Sequence, residues 1–200
     1  MVVEPAPAVP LSPEAILDAA EAVLRRHGPA KASVVDVARA LGVSHGSVYR
    51  HYPSKAGLRD AVTERWLGRV SAPLEAIAGR IGPAPARLHD WLLALAASKQ
   101  TMAREDPELF ETFHQLTLAS RAVVAAHVDH LADQLAAIVA DGMADGDFAP
   151  GDAATAGRAV LHATARFHHP ALAGEWGDPA ALGAELEAVI ALLLRGLTAR

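Results

Sequence analysis

Between Ser33 and Lys55 the chain spells two short helices joined by a turn with little freedom at any position. Ser33 is placed to cap a helix start, and Asp36 three residues on completes a capping-box-like pair at the positive end of the helix dipole. Val34, Val37, Ala38 and Leu41 recur at helical spacing and make one narrow apolar stripe. Gly42 stands where a helix end calls for a left-handed residue, Val43 follows as a core residue, and Ser44 caps a second helix. In that second helix only Val48 and Tyr52 are placed to pack inward, which leaves His45, Gly46, Ser47, Tyr49, Arg50 and His51 wholly or partly outside. The pattern is a helix-turn-helix whose second helix keeps small, polar and aromatic groups free. Such a surface suits a DNA groove.

The 200 residues carry a formal charge of −5, which argues against DNA only until its distribution is read. From Arg25 to Arg59 the cations Arg25, Arg26, Lys31, Arg39, Arg50, Lys55 and Arg59 stand against Asp36 alone, so the remainder is more acidic than the total. The asymmetry points the basic end at phosphate and keeps the acidic body off it. The absence of cysteine excludes disulfides, thiolate metal sites and cysteine nucleophiles. The longest unbroken apolar runs, such as 188–194, hold seven residues, far short of the roughly 20 that span a bilayer. The N-terminus shows neither the basic region nor the apolar core of a secretion signal, and its prolines at 5, 7, 10 and 13 suggest a loose arm over 1–11. A soluble cytoplasmic protein without a membrane partner is the expectation.

The run Val34-x-Asp36-Val37-Ala38, through Leu41-Gly42-Val43-Ser44, to Tyr49-x-His51-Tyr52-x-Ser54-Lys55 resembles the N-terminal signature of the TetR/AcrR family of transcriptional regulators. The likeness covers about a quarter of the chain. Two departures are Tyr52, where the family more often has Phe, and Gly57, where better helix formers are usual. The resemblance implies an all-α protein. A three-helix DNA-binding domain over 12–55 would precede a helical effector-binding and dimerisation domain over 56–200. It further implies a repressor that leaves its operator when a small molecule binds the C-terminal domain, and not an enzyme.

Elsewhere the expected helices follow caps and breakers. Ser12 caps the first, Pro13 opens it, Ile16, Ala20, Val23 and Leu24 face the core, and Gly28-Pro29 ends it. Ser54 caps a longer helix to about residue 70, and Pro73, Gly82-Pro83 and Pro85 leave room for a short one near 74–80. Further helices are expected at 86–103, 107–118, 121–143, 152–173 and 178–198, with loops over 141–151 and 174–179 and negligible β-structure. Ala153, Ala154, Ala156, Gly157, Ala159, Ala163 and Ala165 permit close backbone approach. Leu182, Leu186, Val189, Leu193 and Leu197, flanked by Ile190 and Leu194, form an apolar seam wider than one neighbour needs. The resemblance reads that seam as half of a four-helix homodimer interface; periodicity alone also allows it to close the monomer's own core.

On double-stranded DNA, His45 is expected at base edges, with Gly46 letting the backbone come close. Ser44 and Ser47 offer hydroxyls, Arg50 stays outside, Tyr49 reaches phosphate, and His51 and Ser33 contact the backbone. Capping is the competing role of Ser33 and Ser44. The resemblance adds Lys55 as a phosphate contact.

For the effector, Trp66, Trp91, Phe110, Phe113, His114, Leu116 and Phe167 are candidate lining, with core packing the competing reading. No basic cluster in the body announces an anionic effector, although Arg121, Arg158 and Arg166 could supply one. No cofactor is required. A divalent metal is the alternative, with His114, His162 and His168 as ligands and a metal-responsive regulator as the consequence. No His pair at i, i+4 supports it, and an all-helical metal-dependent hydrolase lacks any catalytic motif.

Overall fold

The structure is a computed structural model and describes residues 11–198. The expected arm over 1–11 therefore lies outside the described residues except for residue 11. Among those described, every named element is helical, and one isolated bridge joins Phe148 to Thr198. The chain divides into two compact units between Thr63 and Glu64, later than the boundary expected at 55.

In the first unit, α1 (Pro13–Lys31), α2 (Val34–Leu41) and α3 (His45–His51) form as their caps require. Ser12 Oγ accepts from the Ala15 amide at 3.1 Å. Gly28, at φ 71°, interrupts α1 where the Gly-Pro pair predicts, and one further turn runs on to Lys31. Gly42 takes the left-handed conformation at φ 67°, which lets the Val43 amide reach back to the Ala38 carbonyl at 3.0 Å. Ile16, Ala20 and Val23 of α1 are buried, as are Val34, Val37 and Ala38 of α2 and Val48 of α3, while Leu24, Val43 and Tyr52 are half-buried.

Four helices of the second unit follow the long α4 (Lys55–Ala78), which crosses the division: α5 (Ala84–Glu105), α6 (Pro107–Ala119), α7 (Arg121–Asp145) and α8 (Ala153–Ala163). Two 3-10 turns, Ala165–Phe167 and Pro170–Glu175, then lead into α9 (Pro179–Leu197). Three boundaries depart from the sequence reading. Pro73 does not break α4: the proline removes one backbone hydrogen bond, but Val70 and Leu74, one turn apart and both buried, keep the same face in the core. Asp141 and Gly142 lie inside α7 instead of a loop, because Gly142 leaves room for the Phe148 ring as the chain folds back after Gly146, at φ 82°. The helix expected to 173 stops at Ala163. There Thr164 Oγ1 donates to the Val160 and Leu161 carbonyls, at 3.0 and 3.2 Å, and Pro170 disfavours helix at His169.

Close packing of α7 on α8 rests on Gly157, whose missing Cβ would lie 2.6 Å from the Ala136 amide nitrogen. α7 is long and apolar enough to cross a membrane by length and composition. Its buried residues, Leu131, Leu135, Ile138 and Val139 among them, instead belong to the core. Trp91 is fully buried with its indole N–H donating to Gln134 Oε1 at 2.8 Å, and Arg87 ties the Ala78 carbonyl to Asp141 at 2.8 and 2.9 Å.

The α9 seam splits in two. Leu182, Leu186 and Ile190, at i, i+4 and i+8, are buried within the chain's own core. They are thus removed from the dimer interface assigned to them, because one neighbour already covers that stripe. Val189, Leu193 and Leu197 stay half-buried, and Leu192, outside the original set, is 61% exposed.

Candidate nucleic-acid interface and effector cavity

α3 buries Val48 alone. His45, Gly46, Tyr49, Arg50, His51 and Lys55 are exposed, and Ser47 is half-buried. Its internal bonds order this surface from below. Ser44 Oγ accepts from the Ser47 amide at 3.2 Å, the two hydroxyls are 2.9 Å apart, and Arg50 donates to Ser47 Oγ at 3.1 Å. The rings of His45 and Tyr49 meet edge-to-face at 6.3 Å, which holds both on one side of the helix. Gly46 needs no glycine for the fold: a Cβ there would meet Ser44 Oγ at an ordinary 3.7 Å. Its bare backbone therefore leaves the outer surface flat where a partner can approach.

Ser33 is occupied as a cap. Its Oγ accepts from the Asp36 amide at 3.2 Å and donates to the Asp36 carboxylate. That bond, aided by Arg39 at 2.9 Å, holds the carboxyl below its usual range. Ser54 Oγ likewise accepts from Gly57 at 2.9 Å, so the glycine in the opening turn is tied by its own cap.

The second unit contains a cavity of about 590 Å³, walled by α4 through α8 and the segment after α8. Of the lining expected from sequence, Trp66 and His114 are there. Trp91, Phe110, Phe113, Leu116 and Phe167 are not; all five are buried core. Phe113 acts indirectly, stacked on Trp66 at 4.4 Å between ring centroids.

Sequence reasoning missed Lys99; His127 and His169, two of the histidines concentrated in the body, also line this wall although they were not among the candidate lining. Lys99 follows Leu88, Leu92 and Leu95 at spacings of 4, 3 and 4, and a lysine on that core stripe was the available signal. Its ammonium sits 4.4 Å from the Trp66 ring, and burial pushes its pKa down to about 8. Burial, with the charges of Lys99 and His130, pushes His127 down to about 4. His168 also falls to about 4 through burial; its contact with the Leu161 carbonyl at 3.4 Å opposes the shift, and Lys99 and His169 add to it. His169 is lowered by burial first and then by His114 and Lys99. Arg121 joins them on the wall; Arg158 and Arg166 do not, being paired with Asp129 at 2.8 Å and Glu185 at 3.2 Å. Of the three arginines the sequence offered for an anionic effector, only Arg121 stands on this wall, and Lys99 joins it.

His114, His162 and His168 do line this one cavity. Among the described residues, however, no three His, Asp or Glu side chains form a group that could hold a metal ion.

A two-unit helical protein with an uncovered helix-turn-helix and a separate cavity is, as a class, a one-component regulator. Residues 16–62 match the family model of bacterial regulatory proteins of the tetR family, and residues 84–190 match that of the tetracyclin repressor-like C-terminal domain. The chain belongs to the TetR family. Uncharacterized HTH-type transcriptional regulators from two Mycobacterium tuberculosis strains are 31% identical over 104 residues, covering 52% of this chain and 49% of theirs. The chain thus spans about half the length of the curated relatives it matches. In fold it is similar to SmeT, the repressor of the Stenotrophomonas maltophilia multidrug efflux pump SmeDEF (TM-score 0.68, 23% identity, 95% of this chain and 92% of that one). It is also similar in fold to FadR of Bacillus subtilis in complex with stearoyl-CoA (TM-score 0.61, 18% identity, 92% and 98%).

Proposed function

We propose that this chain is a homodimeric repressor that reads a two-fold operator with α3 and leaves it when a small organic molecule enters the C-terminal cavity. The observation that carries this reading is α3 itself, a helix that buries Val48 alone and keeps His45, Gly46 and Tyr49 outside. A helix that contributes so little to its own core is explained by a groove that receives it. The control step is supported by α4: its first residue is Lys55, and farther along the same helix Trp66 and Leu67 line the cavity. A ligand that favours one position of α4 shifts the population of DNA-competent molecules. The effector in this reading is organic and not a metal ion, and the protein works in the cytoplasm where the operator is.

Half of the dimer contact is assigned to the part of α9 that its own core does not bury, the exposed Leu192 with the half-buried Val189 and Leu193, and the exposed Ala159 and Ala163 of α8 are assigned to it as well. The test of the reading is a salt series of operator binding. Lys55→Ala is expected to lower the slope of log affinity against log salt by about one, weakening all sequences alike. His45→Ala is expected to alter sequence preference instead. Equal losses with unchanged slope and preference would contradict the assignments.

A further inference from the structure

Lys99 is 5% exposed, and among the described residues its ammonium has no hydrogen-bond acceptor and no carboxylate partner; it faces the Trp66 ring across 4.4 Å. One cation–π contact does not replace the hydration that such an ammonium gives up. The wall around it adds one further fixed cation, Arg121, and imidazoles and a Thr117 hydroxyl that can donate hydrogen bonds. His114 Nδ1 is buried and unpartnered, Arg121, His127 and His168 also line the cavity, and the lining residues include no Asp or Glu. Apart from Thr117, His162 and His169 the remainder is apolar, with Leu67, Leu95, Val128, Leu131 and Leu161 among it.

An empty cavity of this kind is complementary to a molecule with one anionic end and a hydrocarbon or aromatic body. Resting on the reading of this cavity as the effector site, we infer that the effector is an amphipathic organic carboxylate. Its carboxylate sits on Lys99, and its body lies along the leucine wall. A phosphate head would bring a second negative charge for which the buried wall holds no second fixed cation, since Arg121 is exposed. A cationic ligand would meet the Lys99 charge directly and is disfavoured by repulsion.

The test is calorimetric titration of the full chain at pH 7 with matched acids and alcohols: octanoate against octan-1-ol, and indole-3-acetate against tryptophol. At least one acid is expected to bind about tenfold or more tightly than its alcohol, as a charge-assisted bond in a buried site requires. Octyl phosphate is expected to bind more weakly than octanoate. Lys99→Met should abolish the acid preference and Lys99→Arg should restore it, with circular dichroism showing that both variants are folded. Alcohols binding as tightly as acids, or an acid preference that survives Lys99→Met, overturns the carboxylate assignment alone. Tighter binding of octyl phosphate overturns the choice of head group. If neither member of either pair binds, the carboxylate assignment falls; the reading of the cavity as the effector site falls separately, if filling the cavity by Leu161→Trp leaves operator release by the protein's inducers unchanged.

Discussion

Lys99 extends the stripe Leu88, Leu92, Leu95 into the cavity wall, and its pKa of about 8 means that the folded chain gives up this proton earlier than an unfolded chain would. Between about 8 and the ordinary 10.5 the unfolded state therefore binds more protons, so the ligand-free protein gains stability as pH rises through that window. The full shift corresponds to about 3 kcal/mol. Lys99→Met is expected to raise the melting temperature at pH 7, with the gain shrinking as pH approaches 10.5; thermal denaturation at several pH values checks it, and a loss of stability at pH 7 would contradict it. His127 and His168, both near 4, have the same sign at the acid end. Their neutral burial is fully stabilising above about 6.5 and is lost as pH falls towards 4, by at most about 3 kcal/mol each. Replacing both with Leu should flatten the acid limb of the stability profile. Gly46 makes a separate prediction. Gly46→Ala should stabilise the fold by up to about 1 kcal/mol through helix propensity, while weakening DNA binding because the methyl group stands on the contact surface. The exposed face of α3 was legible because each of its residues sits in a short local pattern. Lys99 was not, because its meaning depends on five other elements converging on it.

Among the helices, the same kind of residue led to opposite outcomes. Pro73 and Pro170 are both helix breakers on paper, yet α4 runs through the first while the helix before the second has already ended at Thr164. Burial of Val70 and Leu74 decides one case, and a threonine bonding its own carbonyls decides the other. Spacing also failed to say which neighbour covers an apolar face: Trp91, Phe110 and Phe113 became core, as did Leu182, Leu186 and Ile190. Close approach of small residues was legible, and Gly157 realises it. Gly157→Ala would press a methyl group against the Ala136 backbone at 2.6 Å, and Gly142→Ala would collide with Phe148 and with Ala84 at 2.8 Å. Each is expected to cost about 1–3 kcal/mol in denaturant unfolding. Gly68→Ala, an exposed site on α4 with open space around it, should instead gain up to about 1 kcal/mol. Equal effects at the three positions would contradict the packing described.

For the molecule as a whole, the account joins pairing of two chains to reading of one duplex. Leu192, 61% exposed on α9, belongs to the face proposed to meet a second copy. Leu192→Glu is expected to shift sedimentation towards monomer and to reduce operator affinity with it, since one head alone makes half the contacts. A variant that stays dimeric places the interface elsewhere. The most direct measurement of the central claim is selection of bound duplexes from a random DNA pool by the unaltered protein. The account predicts enrichment of an inverted repeat, its half-sites one helical turn or a multiple of it apart, with the preference at individual bases altered by His45→Ala. A pool that returns no shared sequence, or one without two-fold symmetry, would contradict it.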